Sequence, residues 1–181
     1  MKIKNIALVG NPNCGKTSLF NTLTGTRQKV ANYAGVTVER KEGSFKLPSG
    51  DAIRVLDLPG TYSLKPSSLD EEVTRAVCLG ELKGEILPDI FICVVDATNL
   101  SLHLSLVLEV RALNRPMILV LNMMDEVKKR GISIDKDKLS QLLGIPVVEA
   151  VAVKTKGIQD LINQLDQKNL FITPYHSELS H

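Results

Sequence analysis

A short run near the start of the chain, GNPNCGKT at residues 10–17, fits the pattern GxxxxGK[ST]. The segment at residues 4–9 predicts a buried strand before it, and the residues from Thr17 onward predict the first turns of a helix. A glycine-containing turn between strand and helix points several backbone N–H groups, and the positive end of the helix dipole, at one place. The run therefore predicts a phosphate-binding loop.

Two side chains at the end of this loop have predicted roles of their own. Lys16 is predicted to reach the β- and γ-phosphates of a nucleotide, and the Thr17 hydroxyl to bind Mg²⁺. The alternative is a glycine turn in an unrelated α/β protein, which leaves the Lys-Thr pair unexplained. Cys14 is interpreted as a small residue at a variable loop position rather than a reactive thiol. The other residues predicted to contact the nucleotide here, together with Cys14, are Gly10, Asn11, Asn13, Gly15 and Ser18.

Length and composition indicate one globular domain. The chain has 181 residues, 44% of them hydrophobic, and no apolar run approaches the ~18 residues that a membrane helix needs. Basic residues are scattered among acidic ones, with a net charge of +2, which argues against a dedicated nucleic-acid surface. The three cysteines lack metal-ligand spacing and fit a reducing cytosol.

Strand and helix patterns alternate along the chain, which predicts a doubly wound α/β sheet. We expect a three-layer sandwich, with helices on both faces of a mostly parallel six-stranded sheet that contains one antiparallel hairpin strand. The predicted strands are residues 4–9, 41–47, 52–58, 90–96, 117–122 and 145–152, and the main predicted helices begin near residues 17, 68, 99, 135 and 157.

Two segments fall outside this regular pattern. Residues 26–40 are predicted to be irregular, and the polar residues 169–181 are interpreted as a linker or the start of a truncated helical domain. The folded domain is expected to span residues 1–168, and the chain to be a fragment of a longer protein.

A DxxG motif, formed by Asp57 and Gly60, closes the third predicted strand. Asp57 is predicted to hold Mg²⁺ through a water molecule, and the Gly60 N–H to face the γ-phosphate with no side chain in the way. The motif is common by chance. Its place at the tip of an apolar strand, downstream of a phosphate loop, makes it informative.

An NxxD motif, residues 122–125, closes the fifth predicted strand. A carboxylate at Asp125 can accept hydrogen bonds from N1–H and the 2-amino group of guanine, whereas adenine offers neither donor. Asn122 is predicted to tie this loop to the phosphate loop, and Met123 to contact the nucleotide. The alternative is a helix-capping Asn and an unrelated Asp. Together with the two earlier motifs, this pattern favours GTP over ATP.

A mobile segment is predicted to complete the site when the γ-phosphate is present. Thr37, in the run Gly35-Val36-Thr37, is predicted to bind Mg²⁺ and to be released after hydrolysis, with Thr26 and Thr61 as competing candidates. Many GTPases place a Gln after DxxG to orient the attacking water, and this chain has Thr61 there. Unaided hydrolysis is therefore expected to be slow unless another positive charge enters the site.

These motifs together resemble the cytoplasmic G domain of the bacterial ferrous iron transport protein B (FeoB) family. The resemblance covers residues 1–168 and implies a Ras-like P-loop GTPase fold. It also implies a GTP-hydrolysing switch that regulates Fe²⁺ uptake by an attached membrane transporter, at the cytoplasmic face of the bacterial inner membrane. The implied partners are attached helical and transmembrane domains and small cytosolic accessory proteins, with no nucleic acid and with oligomerisation through the membrane domain. The stretches that carry the resemblance are residues 10–25, 32–43, 57–64, 94–100 and 122–125.

The resemblance also implies activation by K⁺. The family's phosphate-loop Asn, at the position of Asn13, helps hold a K⁺ that takes the place of an arginine finger. Glu71 and Glu72 lie where the family has acidic residues near the site, although their charge also suits the start of a helix. The implied catalytic residues are Asn13, Lys16, Thr37 and Gly60.

Two departures from the family pattern change the expectations. Ala34 stands where the family has Pro, so the switch loop, the segment of residues 33–38 that carries Thr37, is expected to be less rigid. The last base-contacting loop has Val151 and Ala152, followed by Val153, where the family has Ser-Ala. The Ala152 N–H is expected to reach guanine O6. The missing Ser hydroxyl predicts weak nucleotide affinity and fast GDP release.

Two other functions stay open on the sequence. One is a soluble GTPase of RNA modification or ribosome assembly, which a basic nucleic-acid-binding extension would favour, and these 181 residues carry none. The other is a GTP-binding module with negligible hydrolysis, which Thr61 in place of Gln allows.

Overall fold

The computed structural model describes residues 3–167, which form seven strands and six α-helices. The expectation for residues 169–181 lies outside the described residues. None of the helices within residues 3–167 is long and apolar enough to cross a membrane. The strands are β1 (Asn5–Gly10), β2 (Gln28–Asn32), β3 (Glu39–Lys46), β4 (Ala52–Asp57), β5 (Ile90–Asp96), β6 (Met117–Asn122) and β7 (Val147–Glu149). The helices are α1 (Lys16–Thr24), α2 (Leu69–Leu79), α3 (Leu100–Arg111), α4 (Met124–Lys129), α5 (Lys136–Leu143) and α6 (Gln159–Asp166).

The strands form one sheet in the order β2-β3-β4-β1-β5-β6-β7. Strand β3 runs antiparallel to both of its neighbours, and the other neighbouring pairs are parallel. Helices pack on both faces of the sheet. The predicted three-layer, mostly parallel α/β sandwich with one antiparallel strand is confirmed.

The sheet has one strand more than the six predicted. The additional strand, β2, lies at one edge and pairs with β3 from Gln28↔Gly43 to Asn32↔Glu39, inside the segment predicted to be irregular. Four of its five residues are exposed, so β2 has no apolar alternation that could reveal it in the sequence. Pairing with β3, rather than burial, defines this strand.

Alternating side chains of the central strands build a hydrophobic layer on each face of the sheet. In β1, Ile6 and Leu8 belong to the layer under α1 and α6, whereas Ala7 and Val9 belong to the layer under α2, α3, α4 and α5. Strands β5 and β6 are buried along almost their whole length, because helices cover both of their faces. This double cover explains the continuous apolar runs by which the sequence predicts these strands.

The strands that carry the three motifs end at the same edge of the sheet. The register pairs Leu8 of β1 with Asp57 at the end of β4, and Asp96 of β5 with Asn122 at the end of β6. Loops that follow the carboxyl ends of neighbouring parallel strands lie side by side and form the usual ligand crevice of such sheets. The fold therefore brings the phosphate loop, DxxG and NxxD to one side of the molecule.

The core assignment predicts a large loss of stability when Ile92, which is fully buried in β5, is truncated. The Ile92→Ala variant should lose about 2–5 kcal/mol of unfolding free energy, because buried methyl groups are removed and a cavity is left. Urea denaturation measures this loss. In the control Ile86→Ala, whose parent side chain is 63% exposed, the change should stay within about 0.5 kcal/mol. Equal losses in the two variants would contradict the assigned core.

Candidate nucleotide-binding site

The phosphate loop joins the end of β1 to the start of α1 and depends on a glycine at its last position. Gly15 has a φ of +91°, a left-handed conformation that favours glycine. A Cβ at this position would lie 2.0 Å from Asn122 Nδ2, so the glycine also leaves room for that amide. Asn13 has a positive φ of 65° as well, which Asn tolerates better than most residues. The local sequence therefore suits the turn that the loop makes.

Two cavities open beside this loop. Their volumes are about 480 Å³ and 200 Å³, and Lys16, Thr17 and Gly60 line both of them. The phosphate loop and the DxxG motif thus contribute residues to both cavities. The other residues of the larger cavity are Asn11, Pro12, Asn13, Gly15, Ser18 and Met123, and those of the smaller cavity are Glu39, Lys41, Asp57, Leu58, Pro59 and Asp70.

Lys16 and Asp57 form a buried ion pair at this place. Lys16 Nζ donates a hydrogen bond to Asp57 Oδ1 at 2.5 Å, and both side chains are more than nine-tenths buried. A buried charge is costly without a partner, so each residue compensates the other. A phosphate for Lys16 and a cation for Asp57 would give both residues new partners, and the pair would then separate.

The Asn122 side chain connects the phosphate loop to the loop that follows β7. Its Nδ2 donates to the Cys14 carbonyl at 3.1 Å, and its Oδ1 accepts from the Ala152 N–H at 2.9 Å. The tie from Asn122 to the phosphate loop is therefore present, as the sequence predicts. The Ala152 carbonyl in turn accepts a hydrogen bond from the Thr22 hydroxyl of α1 at 2.5 Å. No sequence motif indicates Thr22, because a contact between residues 130 positions apart leaves no local pattern.

The residues predicted to contact the base lie around this connection. Met123, with a left-handed φ of 63°, lines the larger cavity, and Asp125 is half-buried in the first turn of α4. Because the Ala152 N–H is bonded to Asn122, its predicted contact with guanine O6 requires that amide to be shared or released. Val151 is half-buried and Val153 is 70% exposed. The base contacts of all these residues stay predictions.

The segment that carries Thr37 is a hairpin loop between β2 and β3, docked on helix α2. The Tyr33 N–H donates to the Val38 carbonyl at 2.9 Å and closes the loop. The side chains of Tyr33 and Val38 are buried against Val73 of α2. Of the residues that the structure describes, those lining the two cavities include neither Thr37 nor its neighbours Gly35 and Val36. The structure does not bring Thr37 into the site, and its Mg²⁺ role stays a prediction that requires this loop to move.

The residue after DxxG has its side chain bonded away from the cavities. The Thr61 hydroxyl lies 2.7 Å from Glu71 Oε2, in the first turn of α2, and 2.5 Å from the Ser63 carbonyl. Hydrogen bonds from the hydroxyls of Ser67 and Thr61 lower the pKa of the Glu71 carboxyl. Sequence analysis assigned Glu71 a charge at the helix start and missed its contact with Thr61. Thr61 and Glu71 are only ten positions apart in the chain, and this short separation was the one sequence feature that could have indicated their contact.

Cys14 belongs to the phosphate loop, and its side chain is buried in the hydrophobic layer under α1. Burial raises the pKa of its thiol, and the backbone and charge of Lys16 oppose this effect only in part. Because the thiolate is the reactive form, a buried neutral thiol is unreactive. The position supports the interpretation that Cys14 is not a reactive thiol, and its contact with the nucleotide stays a prediction.

Comparison with known proteins identifies the family. Residues 4–165 match the family described as Ferrous iron transport protein B. The chain belongs to the FeoB family. The Fe(2+) transporter FeoB of Salmonella typhimurium is 47% identical over 93% of this chain. The Porphyromonas gingivalis Fe(2+) transport protein A/Fe(2+) transporter FeoB fusion protein is 44% identical over 93% of this chain. This FeoB chain spans 22% and 20% of the length of these two relatives.

Solved structures of FeoB cytosolic domains share the fold. The cytosolic domain of L. pneumophila FeoB superposes with a TM-score of 0.86 at 42% identity, covering 98% of this chain and 74% of that one. The T. maritima cytosolic domain in GDP form II gives a TM-score of 0.86 at 44% identity, with coverages of 96% and 67%. Its GMPPNP form gives 0.83 at 42% identity, with coverages of 98% and 69%. The predicted P-loop GTPase fold of a FeoB G domain is confirmed.

Burial of Cys14 predicts a steep pH dependence of its alkylation. In the folded domain the reaction with iodoacetamide should be slow at pH 7 and accelerate only above the ordinary thiol pKa of 9.0, because a raised pKa keeps the thiolate fraction small. Peptide mass spectrometry distinguishes Cys14 from Cys78 and Cys93. The control is the same chain unfolded in urea, where Cys14 should react readily near pH 8. Rapid labelling of Cys14 at pH 7 in the folded domain would count against the buried position.

Proposed function

We propose that this domain binds GTP with Mg²⁺ and hydrolyses it, that K⁺ activates hydrolysis, and that hydrolysis regulates Fe²⁺ uptake by an attached membrane transporter. The observation that carries the proposal is the meeting of three motifs at one edge of the sheet. Lys16, Thr17 and Gly60 line both cavities. Asn122 joins the phosphate loop to the loop after β7. GDP and GMPPNP are named for the T. maritima FeoB structures that share this fold.

The residues around the smaller cavity fit Mg²⁺. Thr17 and Asp57 offer a hydroxyl and a carboxylate oxygen, which are ligand types that this cation prefers. Within residues 3–167, no group of three or more His, Cys, Asp or Glu side chains could hold a metal ion. Mg²⁺ would therefore bind together with the nucleotide phosphates, whose negative charge it neutralises.

The contacts of Lys16 and Gly60 suggest how each acts on the phosphates. Lys16 would exchange the Asp57 carboxylate for the β- and γ-phosphates. Gly60 would donate its backbone N–H to the γ-phosphate, and a Cβ there would lie 3.1 Å from the backbone of Pro12. Thr37 would join the site when its hairpin loop leaves α2. The γ-phosphate would thereby be held from several sides.

Guanine specificity is assigned to the loops after β6 and β7. The Asp125 carboxylate would accept hydrogen bonds from guanine N1–H and the 2-amino group. The backbone around Ala152 and Val153 would face O6. Val151 provides no hydroxyl to order this loop, which supports fast GDP release.

Asn13 is proposed to hold the K⁺. Its side chain is exposed at the larger cavity, beside the residues that would bind the phosphates. A neutral amide oxygen suits a hard cation. Thr61, the residue after DxxG, has its hydroxyl within hydrogen-bond distance of Glu71 Oε2. It therefore does not replace the water-orienting Gln of other GTPases. A cation beside the phosphates would stabilise the charge that develops during hydrolysis.

The remaining parts of the proposal concern the longer protein. Residues 1–168 would form the G domain, and residues 169–181 a linker or the start of a helical domain before the transmembrane transporter. The complete protein would lie in the bacterial inner membrane, with this domain on the cytoplasmic face, and oligomerise through its membrane part. A small cytosolic accessory protein is a further proposed partner, supported by the relative named as a fusion with Fe(2+) transport protein A.

GTP turnover should be faster in KCl than in NaCl at equal ionic strength, because K⁺ and not Na⁺ is expected to fit beside Asn13. Phosphate release under saturating GTP measures this ratio. Equal turnover in the two salts would overturn K⁺ activation. If GTP binds but no turnover is measured in either salt, the domain is a GTP-binding module without hydrolysis.

The variant Asn13→Gly should remove the K⁺ stimulation and leave GDP affinity within about threefold of wild type. Glycine keeps the positive φ of 65° while removing the amide oxygen. The matched control is Asn114→Gly, which should keep the K⁺ stimulation. Asn114 also has a positive φ, 54°, but lies in a loop after α3. Retained K⁺ stimulation in Asn13→Gly would exclude Asn13 as the K⁺ ligand.

The variant Asp125→Asn should lose GTP affinity by roughly 10²-fold or more and bind xanthosine triphosphate better than wild type. An Asn amide can donate to the C2 carbonyl of xanthine, whereas it opposes the donors of guanine. Competition binding with both nucleotides measures the change. The control Glu126→Gln removes the next carboxylate of α4 and should keep GTP preference. Unchanged GTP binding in Asp125→Asn would overturn the assignment of the base site.

A further inference from the structure

We propose that Thr22 is a positioning residue for the base-binding loop, residues 151–157, and that it sets the rate at which GDP leaves. The inference rests on the proposed function, since it concerns the same guanine-nucleotide site. Thr22 lies on α1, the helix that begins at the phosphate loop, and is not itself placed in contact with the nucleotide.

The contact that carries the inference is a long-range hydrogen bond. The Thr22 hydroxyl donates to the Ala152 carbonyl at 2.5 Å, across 130 positions of the chain. Ala152 is almost fully buried, and Thr22 is half-buried. On its other side, the Ala152 N–H donates to Asn122 Oδ1 at 2.9 Å. Both polar backbone groups of Ala152 are therefore held by side chains from two different elements, α1 and the end of β6.

The rest of the loop is bonded mainly to itself. The Val151 N–H donates to the Gly157 carbonyl at 2.9 Å, and the Lys154 N–H donates to the Val151 carbonyl at 3.0 Å. A Cβ on Gly157 would lie 2.3 Å from the Val151 carbonyl oxygen, so the glycine allows this closure. These bonds fix the shape of the loop but not its place beside α1. Its position relative to the phosphate loop then depends on the bonds that leave it, and Thr22 makes one of them.

The residue at position 151 explains why a hydrogen-bond donor on α1 is needed to order the base-binding loop in this chain. Val151 has no hydroxyl, so the loop does not order itself through a side chain at that position. The Thr22 hydroxyl supplies a side-chain bond to the next residue from outside the loop. Because Thr22 and Lys16 belong to the same helix, this bond also links the base-binding loop to the element that holds the phosphates. Loss of the bond should loosen the base end of the site and leave the phosphate end intact.

The test compares GDP release in three variants of this chain. Thr22→Val replaces the hydroxyl with a methyl group of similar shape, and Thr22→Ser keeps the hydroxyl. Thr24→Val is the matched control, because the Thr24 hydroxyl donates to the Phe20 carbonyl within α1. Release of a fluorescent GDP analogue is followed by stopped flow, with excess unlabelled GDP added to trap the free protein.

Thr22→Val should release GDP roughly 2- to 10-fold faster than wild type, the factor expected for loss of one neutral hydrogen bond. Thr22→Ser and Thr24→Val should stay within twofold of wild type. The kcat for GTP in KCl should not change with Thr22→Val, because hydrolysis, and not the fast GDP release, is expected to limit turnover. Inhibition by pyrophosphate, which contacts only the phosphate end, should be equal in Thr22→Val and wild type.

Unchanged GDP release in Thr22→Val would overturn the inference, and so would release in Thr22→Ser or in Thr24→Val that is as fast as in Thr22→Val. A parallel loss of pyrophosphate binding in Thr22→Val would also overturn it, because the effect would then be a general loosening of α1. Failure of the wild-type domain to bind the GDP analogue would instead overturn the proposed function. This outcome is distinguishable from failure of the inference, because it is seen without any of the variants.

Discussion

The side chain of Asn122 makes the two hydrogen bonds on which the arrangement of the site depends. It donates to the Cys14 carbonyl in the phosphate loop and accepts from Ala152 in the loop after β7. Asn122 is only 3% exposed, so an unpaired amide here would be costly. Gly15 is required partly because its missing Cβ leaves space for this amide. Asn122 therefore connects the phosphate loop directly to the loop after β7, and the hydrogen bond from Thr22 to Ala152 adds a second link from α1.

This connection is available because the sheet is parallel where it carries the motifs. Strands β1, β4 and β6 run in the same direction, so the loops after Gly10, Asp57 and Asn122 start from one edge. The exception is β3, the antiparallel strand between β2 and β4. It leads the chain from the hairpin loop that carries Thr37 back to the sheet, beside β4.

The central part of the fold follows from local sequence, whereas the edges of the site depend on distant contacts. Strands β5 and β6 are predictable because cover on both faces requires continuous apolar runs. Strand β2 is not predictable in this way, since most of its residues are exposed and only its pairing with β3 makes it a strand. Motif spacing located Lys16, Asp57 and Asn122 at the site. The docking of Tyr33 on α2 and the bond from Thr22 to Ala152 left no pattern, because their partners lie elsewhere in the chain.

The docked switch loop includes an unfavourable group that bears on how easily the loop is released. The Tyr33 hydroxyl is buried and has no hydrogen-bond partner among residues 3–167, and burial raises the pKa of this phenol, so it stays neutral. A buried unpaired hydroxyl costs about 1–3 kcal/mol, which offsets part of the gain from packing Tyr33 and Val38 on Val73. Undocking returns that hydroxyl to water. Tyr33 therefore contributes less to the docking of this loop on α2 than its buried area alone would give.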